Sequence, residues 1–233
     1  MLSFFIRLID SIVWPTLFVL MIWFVFFINL GYNLELNKFG MHPHDLSQLH
    51  GIITMIFLHG DFDHLLSNSI PLLLSMGFIF VNFEKERFSV ICINVILTGG
   101  ILFFMGQPET NHIGASGLVY ALVFFIITHG FFTKNKEMLA ASFVLIFLYG
   151  SLIYGLFPEF GKIIGKNISW EGHLSGAISG VLVGFLYRKK GPQDIPPPED
   201  DEDERDKDDY WRIKTDLPDT DSTYPIEFHY RDS

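Results

Sequence analysis

Residues 11–34 contain no Asp, Glu, Lys or Arg, and Asp10 and Glu35 close the run at its two ends. An uncharged stretch of this length exceeds the roughly 20 residues that a helix needs to cross a bilayer core. It is also too long, and too poor in small residues at its end, for a removable signal peptide, so it reads as a permanent anchor. Comparable runs follow at 65–83, 88–108, 110–133, 138–158 and 172–187. With 49% hydrophobic residues, these runs predict an all-α membrane protein of six transmembrane helices. Trp170, just ahead of the short last run, suits an interfacial anchor. Residues 31–63 form a long first outer loop, in which the apolar segment 51–58 is too short to cross and dips into the interface.

Positive residues accumulate on the cytoplasmic side of membrane proteins. With both termini inside, that side holds Arg7, Lys85, Arg87, Lys134, Lys136, Arg188, Lys189 and Lys190, and the outer side only Lys38, Lys162 and Lys166. Both termini are therefore expected in the cytoplasm, and the compartment is a plasma membrane, of bacterial type.

Composition changes after residue 190. Residues 191–233 carry 15 of the 26 acidic residues and 5 of the 16 basic ones, which leaves 11 of each before them. Such a segment buries too little apolar surface to offset its ordering entropy. The chain thus divides into a membrane domain, 1–190, and an acidic cytoplasmic tail, 191–233, expected to be disordered. Cys92 is the single cysteine, so no intrachain disulfide forms. With no phosphate-binding glycine loop and no basic patch, nucleic acid is not an expected partner; the lipid bilayer is.

Polar side chains inside spans are expensive and mark functional sites. His64 and Asn68, four apart at the start of the second run, share one helical face and present two hydrogen-bond donors, as a developing oxyanion or an interhelical contact would require. In the fourth run Gly114-Ala115-Ser116-Gly117 sets a hydroxyl among small residues, with Tyr120 one turn on. Glycines at 172, 176, 180 and 184 make a bare stripe on the sixth run, beside which stands His173. A stripe of this kind lets a neighbouring helix come close, and the small residues of the fourth run lie at matching depth. His64, Ser116 and His173 all fall near outer helix ends.

These residues, with His59 and in this helix order, resemble the rhomboid family of intramembrane serine proteases. The resemblance covers about residues 10–190 and implies a six-helix rhomboid-like bundle that cleaves single-pass transmembrane proteins near the outer face. It further implies that Ser116 is the nucleophile and His173 its base. His64, Asn68 and the Ser116 backbone N–H would form the oxyanion hole, Tyr120 would pack on the His173 ring, and His59, Gly114 and Gly117 would support the site. No metal or other cofactor is implied. One departure stands out: rhomboids commonly carry a Trp-Arg pair in the first outer loop, and residues 31–58 contain neither Trp nor Arg. No acidic residue lies within the spans to orient His173, so the implied machinery is a Ser-His dyad.

Two other classes compete. A channel or transporter with a histidine proton relay could draw on His42, His44, His50, His59, His64 and His112, all on the outer side. A metalloenzyme could draw on His59, Asp61, Asp63 and His64.

Overall fold

The computed structural model describes residues 2–148, 153–159 and 169–193; the acidic tail from 194 onward lies outside the described residues. Described secondary structure is helical apart from one isolated bridge between Met41 and His112. Helix α1 is Leu2–Tyr32, α2 Gly51–Thr54, α3 Phe62–Asn82, α4 Arg87–Met105, α5 Ser116–Thr133, α6 Lys136–Leu148 and α7 Trp170–Leu186. Among the described residues four stretches are long and apolar enough to cross a membrane: Leu8–Tyr32, α3, α4 and α5. Helices α6, with 13 residues, and α7, with 17, lie where the fifth and sixth spans were expected and are shorter among the described residues.

Two of the expected runs end differently as structure. The fourth begins not at 110 but at Ser116, because Gly114 takes a φ of +115° that breaks the helix and favours glycine. The fifth does not continue as helix to 158: Tyr154–Leu156 form a 3₁₀ turn instead. An absence of charge marks apolar surroundings, not helical backbone.

α5 is the most buried of the four long helices. Its sequence is apolar on every side, as befits a helix enclosed by others. α7 lies directly on it along the glycine stripe. A Cβ at Gly176 would overlap the Gly117 carbonyl, one at Gly180 the Ala121 carbonyl, and one at Gly184 would come within 2.8 Å of Thr128 Cβ. The stripe therefore faces the fourth run, as its small residues imply. α1 stands at the periphery with Ile12, Leu20, Phe24, Phe27 and Leu30 exposed. Two polar contacts tie it inward: Trp23 Nε1 donates to Ser69 Oγ of α3 at 2.8 Å, and Arg87 of α4 pairs with Asp10 at 2.8 Å.

Residues between α1 and α3 hold only short helical turns, and their anchoring uses no Trp-Arg pair. Met41 and His112 exchange backbone hydrogen bonds of 2.8 and 2.9 Å. The Phe103 carbonyl accepts from His44 N at 3.1 Å, and the Asn37 carbonyl accepts from Asn111 Nδ2 at 2.7 Å. The segment 51–58 packs into protein, with Met55, Ile56 and Leu58 buried and Ile52 against Gly99 of α4. At the other end of the bundle His129 Nε2 meets the Lys190 carbonyl at 2.7 Å.

Candidate active site

Ser116 is the first residue of α5, and His173 the fourth of α7. Close packing of the two helices brings Ser116 Oγ to 2.9 Å from His173 Nε2. The other ring nitrogen, Nδ1, lies 2.9 Å from the Gly155 carbonyl oxygen. A carbonyl can only accept, so Nδ1 carries the proton and Nε2 presents its lone pair to the serine hydroxyl. The Tyr120 ring stacks on the imidazole at 4.3 Å and 11°. Glu171, two residues before His173, is buried, yet no ion pair joins it to the imidazole among the described residues. Helix geometry explains this, since residues two apart point to opposite faces.

Gly155 was not legible as a site residue. Its carbonyl orients His173, and its missing side chain is equally used: a Cβ there would overlap the Tyr120 hydroxyl and approach His173 Nδ1 to 2.9 Å.

His64 and Asn68 converge on Gly114, two residues before the serine. A Cβ at Gly114 would lie 2.6 Å from His64 Nε2 and 3.5 Å from Asn68 Nδ2, so only glycine admits both side chains there. The Asp61 carboxylate caps α3 by accepting from His64 N at 2.7 Å. His59, 2% exposed, places its Nε2 3.1 Å from Asn68 Nδ2 and 3.5 Å from the Ala115 backbone N. Both neighbours are donors, so His59 accepts through a neutral ring. Burial pushes its pKa down to about 3, His64 acts in the same direction, and the Phe57 carbonyl and Asp61 act against it. His59 thus orients the Asn68 amide and the peptide just before Ser116. Gly117 allows the helices to touch, since a Cβ would meet the Gly172 carbonyl at 3.2 Å.

The first N–H groups of α5 have no acceptor within their own helix and carry its positive dipole end. Ser116 sits at that end with Asn68 and His64 beside it, an arrangement suited to receiving negative charge. A cavity with room for about one water molecule adjoins it, lined among others by Thr98, His112, Ser116, Ser169 and Gly172.

A hydroxyl hydrogen-bonded to a neutral imidazole stands at the start of α5, the most buried of the four long helices described in this multi-pass membrane protein. The chain belongs to the rhomboid family: residues 46–190 match the rhomboid domain, and that family comprises intramembrane proteases. An uncharacterized protein of Mycobacterium tuberculosis is 33% identical over 162 residues, 67% of this chain and 65% of that relative. One of Mycobacterium leprae is 36% identical over 144 residues, 59% of this chain and 56% of that relative. Rhomboid-related protein 1 of Caenorhabditis elegans is 27% identical over 139 residues, 56% of this chain and 38% of that relative.

Proposed function

We propose that this protein is an intramembrane serine endopeptidase that cleaves single-pass transmembrane segments near the outer face through a Ser116–His173 dyad. The observation that carries this reading is the 2.9 Å contact between Ser116 Oγ and His173 Nε2, with Nδ1 committed to the Gly155 carbonyl. His173 takes the serine proton as Oγ attacks the scissile carbonyl, then gives it to the leaving amine. The Ser116 N–H, the Asn68 amide and the His64 ring donate to the oxyanion formed in between. Water then attacks the acyl-enzyme, with His173 again as base. Tyr120 and the Gly155 carbonyl hold the ring where a triad would use a carboxylate. Because a helix shields its own carbonyls, the substrate must unwind locally before attack, which Gly, Ser or Pro near the cut makes easier. The six helices span the bilayer in this reading, with α6 and α7 as the fifth and sixth.

Labelling with a fluorophosphonate probe, with and without a chelator, tests the reading. Labelling that persists with chelator and vanishes in Ser116→Ala supports it; a parental protein that is never labelled excludes it and favours the histidine relay. Gly155→Ala is expected to lower kcat about 10- to 100-fold, since it displaces Tyr120 and the His173 ring together. Parental turnover in that variant would mean that the close packing of Gly155 against Tyr120 and His173 does not set the ring.

The excess of Lys and Arg on one side supports a topology with both termini in the cytoplasm of a bacterial-type plasma membrane. Protease should then remove residues 191–233 only from inside-out vesicles. Digestion from intact cells would reverse the topology and put Ser116 at the inner face.

A further inference from the structure

His112 is buried, four residues before Ser116, and the proposed reaction gives it no role. Its Nδ1 lies 2.6 Å from Ser169 Oγ, and its Nε2 lies 2.8 Å from Thr110 Oγ1. Directions along this chain of contacts are determined. The Thr110 hydroxyl gives its one proton to the Gln107 carbonyl at 2.6 Å, so it accepts from His112 Nε2–H. Nδ1 is then the acceptor, and Ser169 donates to it. Ser169 Oγ in turn accepts the Gly172 N–H at 3.2 Å as the N-cap of α7. Every group in the run from Gln107 to Gly172 is satisfied only while His112 is neutral. Burial, with His42 in the same direction, pushes its pKa down to about 4.

The contact occupies a particular place. Ser116 and His173 are 57 residues apart, and so are His112 and Ser169. Each member of the second pair precedes its catalytic counterpart by four residues. The glycine stripe sets the α5–α7 distance from Gly176 inward; the His112–Ser169 bond joins the approaches to both helices on the outer side of the serine. The His112 backbone is also fixed, through its two hydrogen bonds with Met41.

Resting on the dyad reading, we propose that His112 is a positioning residue: a neutral imidazole that ties the peptide leading to Ser116 to the cap of the helix bearing His173. Its ring nitrogens bond to Thr110 and Ser169, not to Ser116 or His173. It sets the distance between two groups carried on separate helix starts, and a misplacement of about 1 Å there costs on the order of 10²-fold in rate.

The test uses the full chain in detergent, with fluorophosphonate labelling, kcat and KM on a cleaved transmembrane substrate, and the midpoint of thermal unfolding. Labelling of the parent and not of Ser116→Ala checks the serine reading by itself; its failure there removes the dyad altogether. Given that labelling, His112→Ala should lower kcat about 10- to 100-fold with KM within about twofold. His112→Asn, whose Oδ1 stands where Nδ1 stood, should recover most of the loss. His112→Leu, which fills the volume without either ring nitrogen, replaces the alanine variant if that does not fold, and should not recover. Adding His112→Ala to Ser169→Ala should cost little further, because the two act through one bond. Parental kcat in His112→Ala, a multiplicative loss in the double variant, or a loss that tracks the unfolding midpoint and is not recovered by asparagine would each overturn the proposal while leaving the dyad intact.

Discussion

Ser116→Ala and His173→Ala are each expected to abolish peptide-bond cleavage, and the double variant to be no worse than either. A serine hydroxyl is a weak nucleophile until a base removes its proton, and in the proposed dyad that base is His173, whose Nε2 lies 2.9 Å away with its lone pair directed by the Nδ1 contact to the Gly155 carbonyl. Either substitution ends the same proton transfer, so the losses do not add. Both variants should insert and purify folded, because the close approach of α5 and α7 is set along the glycines at 176, 180 and 184, which neither substitution touches. Cleavage of a transmembrane substrate by purified Ser116→Ala at the parental rate would end the protease reading. Full activity in His173→Ala would assign the base elsewhere.

Asn68→Ala should behave differently, lowering kcat by about 10² to 10³ with little change in KM, since loss of one oxyanion donor among several typically has that effect. The amide is placed by a neighbour that can only accept through this nitrogen: His59 Nε2 takes a hydrogen bond from Asn68 Nδ2 at 3.1 Å, and its ring is kept neutral by burial. One amide hydrogen is thereby oriented and the group faces Gly114 and the approach to Ser116. Residual activity is expected because His64 and the Ser116 N–H remain. Steady-state kinetics at saturating substrate decide the matter: a parental kcat in Asn68→Ala would remove the amide from the oxyanion site, and a rise in KM alone would make it a substrate-binding group.

Residue types alone locate the apolar runs, the glycine stripe and the polar groups near helix ends. These features are local. A span needs only a sufficient uncharged length, and glycines four apart fall on one helical face wherever the helix goes. Matching small residues on the fourth and sixth runs hinted that these two lie close, and the pairing of Ser116 with His173 came from the resemblance to the rhomboid family. His64 and Asn68 were legible through their four-residue spacing.

What tertiary structure decided are features no letter carries. The uncharged run 110–133 gave no sign that its helix would begin at Ser116; a positive φ at Gly114 and the bond from Gly114 N to the Met55 carbonyl at 2.8 Å set that start. Every residue has a carbonyl, so nothing in the chain marks Gly155 as the one that orients His173. Nor does composition say how an outer loop without Trp or Arg is held, since Met41 and His112 meet only once distant segments have packed. Helical periodicity acts over a few residues, whereas the bonds that complete this site join residues 57 apart, and only the packing of α5 on α7 brings those together.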